Sequence, residues 1–92
     1  MSQEKIEEIV LGYFDSTCDS RGDGVLSFAA VRDLLLGEGA SSTEASGARR
    51  WIMDCNYASF IVGDRFELGR AGKERLHAFR AAKPAGRRVR AW

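Results

Sequence analysis

The sequence is poor in the residues that usually carry catalysis, metal binding or disulfide bonding. Its 92 residues include two cysteines, one histidine and one proline, and Cys18 and Cys55 lie far apart with no CxxC pair. Two isolated cysteines favour free thiols in a reducing compartment over a disulfide framework. His77 has no serine, cysteine or carboxylate pair arranged with it in a catalytic pattern. We therefore expect a protein that is not an enzyme and that holds no metal or cofactor.

Long apolar runs are also lacking. No stretch approaches the roughly 20 apolar residues that a membrane span requires. The first residues, MSQEKIEEIV, are acidic and contain no apolar segment of signal-peptide length. These absences predict a cytoplasmic or nucleoid-associated protein with no membrane partner.

Basic side chains are scarce in the first half of the chain, and acidic side chains are scarce in the second half. Residues 1–46 hold nine acidic and three basic side chains, a balance of −6, whereas residues 47–92 hold four acidic and eleven basic ones, a balance of +7. The net charge of +1 hides this asymmetry. A half that is so basic favours a polyanionic partner, although charge alone does not identify one.

Apolar residues recur at helical spacing in four segments of the chain. The predicted helices are about 3–16, 28–36, 43–55 and 71–82, and a short strand, Val25–Ser27, precedes the second. Ser2 and Ser27 are predicted N-caps, and Ser41, Ser42 and Thr43 offer caps for the third helix. The predicted inner faces of the second and third helices are Phe28, Val31, Leu34 and Leu35, and Ala45, Ala48, Ile52 and Cys55.

The segment SFIVGDRFEL, residues 59–68, is better explained by two strands than by a helix. Phe60 and Val62 lie at alternate positions before Gly63-Asp64, and Phe66 and Leu68 lie at alternate positions after it. A two-residue turn that contains glycine between two alternating runs is a good hairpin signal. This pattern predicts an antiparallel β-hairpin.

The loop DSRGDGVLSF, residues 19–28, has three interpretations. A calcium loop of the EF-hand type would need an oxygen ligand where Arg21 stands and a bidentate acid where Ala30 stands. A degenerate, non-calcium-binding EF-hand pair that binds a target helix remains open, and it requires a helix after Val62. An Arg-Gly-Asp adhesion tripeptide is the second interpretation, and a turn that feeds the first strand is the third.

The predicted order is helix, short strand, helix, turn, helix, hairpin, helix. From Val25 to Phe79 this order resembles the winged helix-turn-helix family of small DNA-binding domains. Residues 28–55 would be the helix-turn-helix, and residues 59–68 the wing. The run Phe66-Glu67-Leu68-Gly69-Arg70-Ala71-Gly72 is similar to the segment that leads from the wing into the following helix in such domains.

This resemblance implies an α+β, winged-helix fold with a three- or four-helix core and a small antiparallel wing. One domain would span residues 1–83, followed by a basic tail, residues 84–92. The resemblance also implies a transcriptional regulator that contacts duplex DNA with helix 43–55, the wing turn and the tail. The predicted nucleic-acid contacts are Thr43, Ser46, Arg49, Arg50, Arg65, Arg87, Arg88 and Arg90.

Two further expectations concern partners. The first is a homodimer, with either the Ile6/Tyr13 helix or the Leu76/Phe79 helix supplying the contact. The second, an alternative to DNA binding, is a protein-interaction module or inhibitor that uses the same scaffold and the acidic first half of the chain.

Overall fold

The computed structural model describes residues 1–82. The chain forms four helices and a three-stranded antiparallel sheet with the strand order β1-β3-β2. The elements are α1 Gln3–Thr17, β1 Leu26–Ser27, α2 Phe28–Gly37, α3 Ser42–Asp54, β2 Ala58–Val62, β3 Arg65–Leu68 and α4 Arg70–Ala82. The α+β class and the winged-helix-like arrangement predicted from the sequence are confirmed, and every boundary lies within one residue of its prediction.

Serine side chains begin the first three helices. Ser2 accepts a hydrogen bond from the Lys5 amide, and Ser27 accepts one from the Ala30 amide. Ser41 and Glu44 form a reciprocal capping box at the start of α3. Such caps satisfy amides that have no partner within the helix, and each stabilises a helix by about 1 kcal/mol.

The core lies between the helices and the inner face of the sheet, and aromatic rings occupy its centre. The Phe28 ring stacks on the Phe66 ring with centroids 4.2 Å apart, and Phe14 meets Phe66 edge-on at 6.0 Å. These contacts join α1, α2 and β3. The largest fully buried side chains are Phe14, Phe66, Leu11, Leu26, Leu35, Ile52, Leu76 and Val10.

Three details of the predicted core are different in the structure. The sequence predicts Leu34 inside, but it is 44% exposed because the buried face of α2 follows Phe28, Val31 and Leu35. Cys55 is predicted on the inner face of α3, but it caps the end of the helix and is only half-buried. Leu11 is absent from the predicted core, yet it is fully buried, since both α2 and α4 pack on α1.

The predicted hairpin is present. Gly63 has a φ of +62° in a two-residue turn, and Val62 pairs with Arg65 across it. Phe66 and Leu68 face the core, whereas Phe60 and Val62 lie on the outer face of the sheet. An EF-hand pair is therefore the wrong fold for this chain, because β2 and β3 stand where its helix would be required.

The loop before β1 is a turn that Asp19 stabilises. The Asp19 carboxylate accepts hydrogen bonds from the Arg21 and Asp23 amides at 2.9 and 3.0 Å. These amide donors stabilise the charged form, so the pKa of Asp19 lies below its ordinary value. Of the three interpretations of this loop, the turn that leads into β1 describes its structure.

Candidate nucleic-acid interface

Helix α3 presents four of the eight predicted contact residues to solvent. Ala45, Ala48 and Ile52 are buried against the core, since they recur at helical spacing on one face. The remaining faces leave the predicted contacts exposed, as the interpretation required. The exposed contacts on this helix are Thr43, Ser46, Arg49 and Arg50.

Two of these residues share the lining of a cavity with a polar residue that was not predicted from the sequence. Ser46 and Arg49 of α3 and Arg32 of α2 line one open cavity of about 230 Å³. Phe28, Ala29, Ala45 and Asp64 complete its lining. We call Arg32, Ser46 and Arg49 the α2–α3 face. Arg32 lies four residues after Phe28 on α2, a spacing that places both on one side of the helix.

The Arg49 side chain rests on an aromatic ring of the core. Its guanidinium carbon lies 4.6 Å from the centre of the Phe28 ring, within cation–π distance. Phe28 is itself 5% exposed and stacked on Phe66. Arg49 is therefore held over a rigid support, which reduces the side-chain entropy that binding a ligand would cost.

Asp64, in the hairpin turn, is folded back onto the start of α2. Its carboxylate accepts hydrogen bonds from the Ser27 hydroxyl at 2.6 Å and from the Ala29 amide at 3.2 Å. These donors, with the positive charges of Arg49 and Arg65, lower the pKa of Asp64. The turn is thus fastened to α2, and its acidic group occupies the end of that helix where an external anion would otherwise be favoured.

The start of α3 is also occupied by an acidic side chain. Glu44 accepts a hydrogen bond from the Ser41 amide at 2.8 Å and pairs with the N-terminal ammonium group at 2.9 Å. These interactions lower the pKa of Glu44. The Ser41 and Glu44 amides are therefore occupied, and a carboxylate lies at the helix end where a phosphate would otherwise be favoured.

The other predicted contacts are dispersed. Arg50 lies 3.9 Å from Asp54 in a fully solvated pair, which contributes little to stability. Arg65 lines a groove on the outer face of the sheet and not the cavity beside α3. Arg87, Arg88 and Arg90 lie outside the described residues.

A second cluster of charges lies between α1, the loop that follows it, and α4. Lys73 pairs with Asp23 at 2.7 Å, and Arg80 pairs with Asp15 at 2.7 Å. Arg80 also donates to the carbonyl oxygens of Asp15, Cys18 and Asp19, the last of which follows the end of α1. We call these two ion pairs the α1–α4 seam. The sequence did not reveal the role of Arg80, because its partners lie more than 60 residues away.

The comparisons with known proteins add no relative. The chain matches no protein-family model, no curated protein and no solved structure. Within residues 1–82, no group of three or more His, Cys, Asp and Glu residues is placed to hold a metal ion. Among the helices of that part of the chain, none is long and apolar enough to cross a membrane.

Proposed function

We propose that the protein is a non-enzymatic winged-helix domain that binds duplex DNA, most simply as a transcriptional regulator. The observation that carries the proposal is the α2–α3 face, where Arg32 of α2 and Ser46 and Arg49 of α3 line one open cavity. Arginine pairs with guanine edges or with phosphates, and a serine hydroxyl can donate to or accept from either. Thr43 and Arg50 would extend this surface along α3.

The distribution of charge supports a two-part mode of binding. The last ten residues carry four basic and no acidic side chains. Residues 1–82 therefore hold ten basic and thirteen acidic side chains, a net charge of −3. A domain of this net charge gains little from long-range attraction to DNA. The tail arginines Arg87, Arg88 and Arg90 would supply that attraction, and the α2–α3 face would set the orientation.

Arg65 is left out of the proposed DNA surface. Its side chain lines the groove of the outer sheet face together with Phe60, Val62 and Glu67. Arg65 is assigned to that groove because Arg49 lines a different cavity, although both arginines lie close enough to Asp64 to lower its pKa.

The test is the affinity for a fluorescently labelled duplex of random sequence, measured by anisotropy at about 50 and 200 mM salt. Replacing Arg87, Arg88 and Arg90 by glutamine should flatten the logarithmic salt slope by roughly 0.9 for each phosphate that is no longer neutralised. Replacing Arg32 and Arg49 by glutamine should weaken binding at both salt concentrations by about tenfold, the effect of roughly 1.4 kcal/mol.

Arg70→Gln is the matched control for the charge substitutions. Arg70 lies on α4, its side chain is 92% exposed, and it pairs with Glu74 at 3.3 Å. Its replacement removes one positive charge without touching the proposed surface. DNA binding would be rejected if no complex formed at low salt, and the assigned surface would be rejected if Arg70→Gln weakened binding as much as Arg49→Gln.

A protein-interaction module without DNA binding is the second candidate. The net charge of −3 on residues 1–82 favours it, since an acidic domain repels polyanions and attracts basic surfaces. In that case the full-length chain would not retard DNA at any salt concentration. A basic protein recovered from a pull-down, and released by salt, would then support this candidate.

A further inference from the structure

The outer face of the sheet carries an apolar groove that no other element covers in the part of the chain that the structure describes. Val25, Phe60 and Val62 are 57%, 60% and 61% exposed. Together with Arg65, Glu67 and the backbone of the buried Phe66, they line a groove of about 250 Å³. Three large apolar side chains gathered on one exposed face are unusual for a small domain and mark an interaction surface.

The register of the hairpin orders these side chains in two rows across the strands. Phe60 pairs directly with Glu67, and Val62 pairs directly with Arg65. Directly paired residues point to the same face, so each row holds one apolar and one charged side chain. Ile61 and Phe66 form the row between them and point to the other face.

This arrangement is complementary to itself. A two-fold axis that runs across the strands at the level of Phe66 exchanges the row of Phe60 and Glu67 with the row of Val62 and Arg65. Two sheets stacked about this axis would place Phe60 against Val62 of the second copy and Arg65 against Glu67 of the second copy. Phe60 then meets Val62, and each charge meets its opposite. Val25, which precedes β1, and Ser27, which pairs with Arg65 on the other side of β3, flank these contacts.

We propose that this groove is the self-association surface of the protein, occupied by the same groove of a second copy. Packed sheets lie about 10 Å apart, a separation that the long Arg65 and Glu67 side chains can bridge. Of the residues predicted from the sequence for dimer contact, Ile6 and Leu76 are 6% and 1% exposed and belong to the core, and Tyr13 and Phe79 are partly buried against it. The proposal does not depend on DNA binding.

The experiment is analytical ultracentrifugation of the full 92-residue chain without DNA, from about 10 µM to 1 mM. A reversible equilibrium between monomer and dimer is expected. Phe60→Lys should raise the dissociation constant of the dimer at least about tenfold, because it places a charge at the centre of an apolar contact. Leu34→Lys is the matched control, since Leu34 is 44% exposed on α2 and lies away from the sheet.

A charge exchange tests the two-fold register itself. Arg65→Glu places glutamate against glutamate in the dimer, and Glu67→Arg places arginine against arginine, so each single substitution should weaken association. The double variant Arg65→Glu/Glu67→Arg restores both pairs and should recover most of the affinity. Circular dichroism spectra that match the unchanged chain establish that the variants fold.

Three results would overturn the proposal. They are a monomer over the whole range of concentration, a dimer that Phe60→Lys leaves unchanged, and a double charge variant that associates no better than either single one. A monomer that nevertheless binds DNA in the anisotropy test would overturn self-association and leave the proposed function standing.

Discussion

The α1–α4 seam and the α2–α3 face both contain basic side chains, but those side chains are used differently. In the seam, Lys73 and Arg80 each donate to an acidic oxygen at 2.7 Å, and Arg80 also binds backbone carbonyls. On the face, Arg49 rests on an aromatic ring, and Arg32 forms no ion pair with another described residue. The basic side chains of this protein therefore form two groups, one that holds the fold together and one that is available to a partner.

Helix α4 also approaches the hairpin segment closely at Gly72. Gly72 lies on α4, and a Cβ atom at this position would collide with the carbonyl oxygen of Tyr57 and lie 3.0 Å from a Leu68 methyl carbon. In an open helix, glycine to alanine stabilises by about 1 kcal/mol. Gly72→Ala should instead lower the free energy of unfolding by about 2–3 kcal/mol, because the backbone must shift. Urea denaturation measures this change.

Gly12→Ala is the control for that substitution. Gly12 lies within α1, and a Cβ atom there meets nothing within 4 Å. This variant should gain up to about 1 kcal/mol from the higher helix propensity of alanine. Equal effects at the two glycines would contradict the packing described for α4.

Lysine should not be able to replace arginine at position 80 in the seam. Arg80 directs a forked set of donors to the Asp15 carboxylate and to three carbonyl oxygens, an arrangement that one ammonium group cannot reproduce. Arg80→Lys should therefore destabilise the protein by about 1–2 kcal/mol although the charge is kept. Arg70→Lys, at a side chain that is 92% exposed, should change nothing measurable. A fully tolerated Arg80→Lys would show that charge alone maintains the seam.

The two regions also differ in how readily the sequence predicts them. The hairpin follows from Gly63-Asp64 between alternating apolar residues, and the serine caps follow from local spacing, because both depend on neighbours in the chain. The exposure of Ser46, Arg49 and Arg50 follows from the helical spacing of the buried residues of α3. Local signals of this kind predict the correct fold class and two of the three residues of the α2–α3 face.

Contacts between segments that are far apart in the chain were not predicted from the sequence. Asp64 meets Ala29 across 35 residues and Arg80 meets Asp15 across 65 residues, and nothing in either local pattern predicts the partner. The same limit applies to Arg32, whose importance depends on where α3 packs. The assignment of Arg49 and Arg65 to two different cavities likewise depends on which face of the hairpin is the outer one.

Acid should lower the stability of the protein through three carboxylates, one in the loop after α1, one at the start of α3 and one in the hairpin turn. The pKa values of Asp19, Glu44 and Asp64 are lowered in the folded chain from ordinary values of 3.8, 4.5 and 3.8. A carboxylate whose pKa is lower in the folded chain than in the unfolded chain stabilises the fold at pH values above its unfolded pKa. This contribution is lost as the pH falls through its folded pKa. Urea midpoints should therefore be nearly constant from about pH 7 to 5 and fall below about pH 4. Asp19→Asn should have a shallower fall than the unchanged chain, and an identical fall would contradict the role of the Asp19 turn.

The smallest expected effect separates the two functions of Asp64. Its carboxylate fastens the hairpin turn to α2, yet its negative charge lies close to Arg49 and opposes an approaching phosphate. Asp64→Asn keeps an oxygen that can accept the same hydrogen bonds and removes the charge, so DNA affinity should rise about two- to fivefold at low salt. Asp64→Ala removes the charge and the acceptor together, and it should lower the thermal midpoint more than Asp64→Asn does. If Asp64→Asn instead weakened DNA binding, the carboxylate would be part of the binding surface rather than a charge that opposes it.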